Sequence, residues 1–497
     1  MKRNHIFKIL MTGASIISLS SCTDLVVTEK DSIVRVSTGG SVFTPGDPTE
    51  MLASAYKDLG TYTDQAGIYA LGQHTSAEMI PPTRGVDWGD NGVWRTLDAH
   101  TWDASHTYVR DAWNNLNQRV YKATEIIASN PSASQMAQAK FLRAFNMYHV
   151  MDLFGQVPFR EVTQGVDDNP KVMTRSEAFD FIVKDLQEAL PALAEVKPSA
   201  SNGAASKASA NALLARLFLN KAVYKSSKPE GPYTFDKADM DLVVKYSDAV
   251  TASGFSLESS YFKNFSTAAS TEVIFVSLEG TPQNRWFMTL HYGQNPSGWN
   301  GFTTLADFYD KFDKNDQRIG EPAKGNGKEF SGIGRGFLIG TQIDDNGKPL
   351  IDTRTLKVLS FTRDVPLAGA ATDKGIRVIK YHPSDAGKYI LMRYAEVFLA
   401  KAEALYRSGN AAGALLLINQ LRVARGASAI ASLTDQSLFD EIGRETYWEG
   451  GARTYEVRFG KFLTGNGADK KDANLVLFPI PSSAIVSNPN LKQNTGY

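Results

Sequence analysis

Between residues 107 and 128 the apolar positions Val109, Trp113, Leu116, Val120, Ala123 and Ile127 recur at steps of four, three, four, three and four. That spacing places them on one face of a helix and leaves the polar positions between them for water. The helical period continues through four further stretches up to about residue 255. Residues 132–154 form a long candidate helix that opens at Ser132 after Pro131 and stops at Gly155 before Pro158. Residues 176–190 begin with Ser176 and Glu177, a plausible cap, and end at Pro191. Residues 207–224 are rich in Ala and Leu, the best helix formers. Residues 237–254 close the set, with Gly254 as the expected helix stop.

The pattern changes over about 256–387. "TEVIFVSLEG" (271–280) reads as a short strand, and the rest is punctuated by Gly, Pro, Asn and Asp with scattered aromatics. Long irregular segments of this kind are functional or disordered, and the aromatic content argues against disorder. Helix returns from about 388. There Ala402, Leu405, Gly409, Ala414, Ile418 and Leu421 are spaced 3-4-5-4-3, the small-large-turn-small-large-apolar rhythm of a tetratricopeptide hairpin. One such unit cannot stack alone, so the earlier helices are expected to supply divergent partners. The expected fold is therefore mainly α: tetratricopeptide-like hairpins forming a scaffold, with long irregular loops and a few short strands.

Composition is that of a globular chain, with 42% hydrophobic and 21% charged residues. What changes the picture is the cysteine count, which is one in 497 residues. Cys22 has no intrachain partner and no Cys/His cluster around it to hold zinc. It follows a basic start (Lys2, Arg3, Lys8) and an apolar run too short to span a membrane. "Leu19-Ser20-Ser21-Cys22" resembles a bacterial lipobox, in which the signal is cut before the cysteine and the thiol is acylated. The reading is thus a signal peptide at 1–21, a lipidated tether at 22–48 and a single body at 49–497. Within that body, 49–255 is the N-terminal helical part, 256–387 the loop-rich part and 388–497 the C-terminal helical part. Cleavage removes three basic and no acidic side chains from a balance of 53 against 53. The mature body then has a slight acidic excess and no basic stripe, which argues against nucleic acid as a partner.

Several stretches together resemble the SusD/RagB family of outer-membrane nutrient-binding lipoproteins. They are "SCTDL" after the lipobox, "KFLRAFNMYHVMDLFGQVPF" (140–159), "ASKASANALLARLFL" (205–219), "RYAEVFLAKAEAL" (393–405), "INQLRVARG" (418–426) and "EIGRETYWEGGARTYEVRF" (441–459). The terminus "LFPIPSSAIVSNPNLKQNTGY" is the most specific match, since nothing in generic helix physics demands it. Gly443 and the Gly450–Gly451 pair loosen the family's usual helical pattern. The resemblance implies a non-enzymatic protein, anchored in outer-membrane lipid through acylated Cys22. It also implies that the protein captures an oligosaccharide and passes it to a SusC-like TonB-dependent transporter. No cofactor is implied.

A pyranose presents a C–H face that stacks on indole or phenol, and hydroxyls that need amide, carboxylate or guanidinium partners. Two windows combine these groups. Residues 81–102 hold Trp88, Trp94 and Trp102 with Arg84, Asp87 and Asp90; residues 281–302 hold Trp286, Tyr292 and Trp299 with Arg285, Asn295 and Asn300. The candidate ligand residues are Arg84, Asp87, Trp88, Trp94, Trp286, Tyr292, Asn295 and Trp299, although each tryptophan could equally pack a loop onto the scaffold. Glu445 and Glu449, four apart on one helix face, could suggest a glycosidase pair. They are interleaved with Arg444, Arg453 and Arg458, which favours an ion-pair network. Asp307, Asp310, Asp313 and Asp316 recur every third residue but lack the glycine and closing glutamate of a calcium loop, leaving adventitious Ca2+ as the only metal in view. "GIGRGF" (332–337) reads as a turn rather than a dinucleotide loop. A surface glycoside hydrolase and a tetratricopeptide-type scaffold without a small ligand stay open as alternatives.

Overall fold

A computed structural model describes residues 43–165, 167–280, 286–464 and 472–497. The signal peptide, Cys22, most of the tether and Arg285 lie outside the described residues. Helices α1 (Pro48–Lys57), α2 (Gly67–Gln73), α3 (Val93–Asp98), α4 (Thr107–Ala128) and α5 (Ala133–Phe154) come first. They are followed by α6 (Arg175–Ala189), α7 (Lys207–Leu219) and α8 (Lys237–Ala252). The C-terminal part adds α9 (Tyr394–Arg407), α10 (Ala411–Ala424), α11 (Asp435–Thr446) and α12 (Ala452–Arg458).

The apolar face of α4 packs on α5, which from Phe141 onward is buried on nearly every side, with Phe141, Leu142, Phe145, Met147, Met151 and Phe154 in the core and the polar Arg143, Asn146 and Asp152 buried among them. Ser132 caps α5 in a reciprocal box with Gln135, and Gly155, in the left-handed region at φ 71°, ends it. The α6 start differs from the sequence expectation at Ser176. Thr174 is the cap, accepting from the Glu177 N–H while the Glu177 carboxylate accepts from the Thr174 N–H at 2.8 Å. A capping acid belongs at the third helical position, and Glu177 reaches back from there. Helices α9 and α10 form the expected hairpin: Ala402 and Ala414 are fully buried between them and Gly409 turns the chain at φ 89°.

The middle segment is more ordered than a loop reading suggests. Before it, β1 (Gln156–Phe159) pairs antiparallel with β2 (Lys171–Thr174), and its own short strands also pair antiparallel: β4 (Gly320–Glu321), β5 (Arg335–Leu338) and β10 (Arg377–Ile379) in one sheet, then β6 (Gly340–Thr341) with β9 (Ser360–Phe361) and β7 (Ile351–Asp352) with β8 (Lys357–Val358). "GIGRGF" runs into β5 with no helix after it, as a strand and not a phosphate loop. The "TEVIFVSLEG" strand, β3 (Val273–Ser277), is buried throughout and pairs with β11 (Tyr389–Arg393), which feeds α9.

A buried charge network joins this middle segment to the C-terminal helices. Glu445 on α11 accepts from Arg318 at 3.0 Å, Arg393 at 2.7 Å and Arg425 at 2.8 Å. Glu272 bridges Arg393 and Arg425, and Glu449 takes Arg393 and Lys380. Of the two glutamates that could have suggested a hydrolase, Glu445 is thus held by three arginines in the interior, and the partly exposed Glu449 by Arg393 and Lys380. Asp316 pairs with Arg318 two residues on, Asp313 with Arg422 and Asp310 with Arg363. Three of the four periodic aspartates therefore face three different arginines, not one another. Among the described residues, no group of three or more His, Cys, Asp and Glu side chains could hold a metal ion.

The C-terminal motif is a lock made of amides. Asn494 donates to the carbonyls of Phe154 and Phe478, Gln493 both accepts from and donates to the Ile480 backbone, and Tyr497 accepts from Trp102 while donating to the Leu477 carbonyl. These side chains satisfy backbone groups that have no strand partner there.

Arginines hold the Glu445 carboxyl well below the usual carboxylate range against the opposing effect of burial. Its contribution to stability is therefore complete above the unfolded carboxylate pKa of about 4.3 and is lost as pH falls towards the folded value. Glu445→Gln leaves three buried guanidiniums short of a charge and is expected to cost about 3 kcal/mol or more. Chemical denaturation at pH 7 checks this, and the gap from the parent should narrow at pH 3.5.

Candidate functional site

The two aromatic windows, distant in sequence, meet in one place. Arg84 and Asp87 close a tight turn through reciprocal backbone bonds of 3.0 Å, with Gly85 at φ 63°. Trp88 follows with φ also at 63°, a conformation that is costly for a bulky side chain and characteristic of functional sites. Its indole N–H donates to the Trp299 carbonyl at 2.8 Å. Its ring lies flat against Gly301, where a Cβ would come within 2.4 Å of the indole. Gly301 is thus the gap into which Trp88 fits.

Trp299 is 44% exposed and stacks on Phe287 with centroids 5.8 Å apart and planes 22° from parallel. Trp88 is half-buried, 6.4 Å from Trp299, and Val86 stands fully in solvent beside them. Together they form an aromatic shelf. Under it, Trp94 is only 2% exposed; its N–H is taken by Asp90 and its ring packs on Phe302, Tyr108 and Trp88. His74 fills the space behind, 4.2 Å from the Phe302 centroid, with burial pushing its imidazole down to about 3 so that it carries no charge.

Polar groups line one side of the shelf. The Tyr292 hydroxyl donates to Asp87 Oδ2 at 2.5 Å, and Arg354, at the tip of the β7–β8 hairpin, donates to the same oxygen at 3.0 Å. The Arg354 guanidinium lies 4.1 Å above the Tyr292 ring. The Tyr292 bond, aided by Arg354, holds the Asp87 carboxyl below its usual range, and burial with the Asp87 charge raises Tyr292 to about 12. Asn295 sits further out, donating to Asp345 at 2.7 Å.

The predicted residues therefore separate into two groups. Asp87, Trp88, Tyr292, Asn295 and Trp299 reach the surface. Trp94, Trp286 and Arg84 do not: they are buried, and the correction has a physical cause in each case. Trp94 and Trp286 join the hydrophobic core. Arg84 ties down the 371–374 loop by donating to the Ala371 and Lys374 carbonyls, and burial without a carboxylate partner pushes it down to about 10. Sequence reasoning missed Phe287 and Arg354. Arg354 lies in "IDTRTLKV", whose only signal is two short strand-like pairs flanking a turn.

A separate cavity of about 170 Å³ opens between α2, α5, α7 and β11–α9, lined by Tyr69, Tyr148, Arg216, Met392 and Glu396. It contains none of the shelf residues. Its charged groups are paired with one another, Arg216 with Glu396 at 2.6 Å and Asp152 with Tyr224 at 3.0 Å and Arg453 at 3.0 Å, while His149 Nε2 in its wall is buried with no hydrogen-bond partner among the described residues. The shelf, with exposed rings and an accessible acid–arginine pair, is the better-equipped recognition surface.

Two family profiles match the chain, one described as starch-binding and associating with the outer membrane over residues 90–205, the other as the SusD family over residues 307–458. The chain is 27% identical to the starch-binding protein SusD of Bacteroides thetaiotaomicron, over 100% of both chains. Among solved structures, a SusD-like protein of Bacteroides fragilis superimposes with a TM-score of 0.69 at 21% identity, covering 90% of this chain and 96% of that one. A laminarin-binding SusD-like protein gives 0.66 at 18% identity, over 90% and 99%. These two likenesses concern the fold.

Gly301→Val should displace the Trp88 indole from its seat. The expected result is red-shifted tryptophan emission and stronger acrylamide quenching than in the parent. The same substitution in a Trp88→Phe background should leave the emission almost unmoved.

Proposed function

The chain belongs to the SusD family, and on that premise we propose that it is a glycan-binding protein of the outer-membrane surface whose ligand lies on the Trp88–Trp299 shelf. The observation that carries the reading is the pairing of two accessible indoles, Trp88 held by its N–H on the Trp299 backbone carbonyl and Trp299 by its stack on Phe287, with the Asp87–Arg354–Tyr292 cluster at their side. Apolar faces of successive sugar rings would rest on the indoles while the cluster exchanges hydrogen bonds with hydroxyls. Relatives named for starch and laminarin support oligosaccharide as the ligand class. The finer part of the proposal is that Cys22, acylated, tethers the body to lipid and that the captured oligosaccharide passes to a SusC-like TonB-dependent transporter. No helix among the described residues is long and apolar enough to cross a membrane, so attachment through Cys22 is the anchoring route this reading uses. On this reading Glu445 and Glu449 serve as ion-pair partners and not as a hydrolytic pair, Glu445 bound to Arg318, Arg393 and Arg425 and Glu449 to Arg393 and Lys380.

Each indole is expected to contribute about 1 kcal/mol of stacking, so Trp88→Ala combined with Trp299→Ala should weaken glycan binding at least about tenfold. Calorimetry or affinity electrophoresis reads this, with circular dichroism confirming that folding is retained; unchanged affinity would remove the ligand from the shelf. Cys22→Ala should release the protein from the membrane fraction, and an unaltered distribution in cells lacking the transporter would reject lipid tethering.

A further inference from the structure

Asp87 carries both of its bonds on one oxygen. Tyr292 and Arg354 each donate to Oδ2, and Oδ1 has no partner among the described residues. The side chain is 31% exposed and that of Arg354 is 52% exposed, and Asp87 immediately precedes Trp88 in the chain, so the pair is accessible to a ligand next to the shelf. We propose that this pair makes the shelf selective for neutral sugars with a free vicinal diol and against acidic ones, with Asp87 as the specificity-determining residue. The inference rests on the glycan-binding reading above and adds the charge of the ligand to it.

The argument runs from donor and acceptor inventory. An ionised carboxylate only accepts, so whatever meets Oδ1 must bring a hydrogen, as a hydroxyl does and the carboxylate group of a uronate or a sulfate group does not. Arg354 only donates, and with one arm committed to Asp87 its other N–H groups can serve the oxygen of the next hydroxyl. An acceptor and a donor side by side match two adjacent ring hydroxyls, each of which can give to one and receive from the other. The backbone fixes the carboxylate next to the stacking ring, because Asp87 closes the Arg84 turn and Trp88 is the following residue.

The same arrangement opposes an anion. The nearest guanidinium is already neutralised by Asp87 and lies over the Tyr292 ring, so a sugar carboxylate could claim it only by parting it from Asp87. That would leave two carboxylates side by side, a repulsive arrangement at close range. The two other guanidiniums near Tyr292 and His291, those of Arg84 and Arg377, are buried and give N–H groups to backbone carbonyls and to Asn300. Asp345 holds Asn295, and Asp352 accepts from Thr372 and lies 3.8 Å from His291, whose imidazole burial holds neutral near 4.

An immobilised panel of neutral hexose and pentose oligosaccharides, their 2,3-di-O-methyl derivatives, and uronate- and sulfate-bearing oligosaccharides tests the idea on the whole protein. The expected hits are neutral and unmethylated. Asp87→Asn keeps the shape of the side chain but frees the Arg354 charge, and should raise binding of acidic relative to neutral oligosaccharides at least about tenfold. Strong acidic hits with the parent, or an unchanged ratio in Asp87→Asn, overturn the proposal while leaving the shelf intact if the double tryptophan variant still abolishes binding. No hits of any class would remove the glycan reading, and this inference with it.

Discussion

Three arginines from three separate segments close on the buried carboxylate of Glu445, and much of the chain's long-range arrangement depends on that convergence. Arg318 ends a turn of the middle segment, Arg393 ends β11, and Arg425 ends α10. None of these side chains could stay charged in the interior without the others. Such a network contributes little net stability against well-packed apolar side chains of the same volume, because desolvation offsets much of the attraction. Its effect is geometric. The loop-rich segment can dock on α11 in one register only, since a shift would bury an unpaired guanidinium. That register determines where β7–β8, and therefore Arg354, stands relative to the first aromatic window.

The same constraint explains which parts of the structure were legible in the sequence. The helices were readable because their signal is local: a period of 3.6, Ser132 before α5, Gly155 after it. The tetratricopeptide-like hairpin was readable from Ala402, Gly409 and Ala414 for the same reason. The α6 cap was misplaced by two residues because Ser176 and Thr174 are both competent caps, and only the reach of Glu177 decides between them. The aromatic windows were also visible, since tryptophans between turn residues stand out. Which tryptophan faces solvent was not visible. Trp88 and Trp94 have similar neighbours in sequence, but Trp94 starts a helix that lays it on Phe302, while the left-handed backbone of Trp88 turns its ring out over Gly301. Burial in a loop is set by residues two hundred positions away. Arg354 was hidden for that reason too: it becomes a site residue only because its hairpin folds back on Asp87.

The shelf is more rigid than a loop-borne site would suggest. Trp88, Asp90, Asn91 and Asn300 all hold positive φ, and Asn300 is fixed by accepting from Arg377 and donating to the Thr372 carbonyl. Strained backbone persists only where surrounding contacts over-determine it. Here Trp94, Phe302 and His74 supply a packed floor, and the buried Arg84 pins the adjoining loop. A ligand arriving at such a surface pays little to order it, which matters when the contacts offered are a few rings and one charged pair.

Scaffold and recognition are thereby separated in the molecule but not independent. The helices around α4 and α5 carry the core, and the elements that present ligand groups emerge from the connections between helices. If Glu445 holds the middle segment in register, its effect on recognition passes through Arg354, through Trp299 and through the Gly301–Phe302 seat of Trp88. The Trp88 turn belongs to the N-terminal part and is seated by contacts with Gly301 and Phe302. Loosening the charge network should therefore disturb the polar and the aromatic sides of the shelf together, since Arg354, Tyr292 and Trp299 all belong to the middle segment. Of the two kinds of contact, hydrogen bonding would be lost before stacking, because an indole tolerates a displaced sugar ring better than a carboxylate–guanidinium pair tolerates a displaced diol.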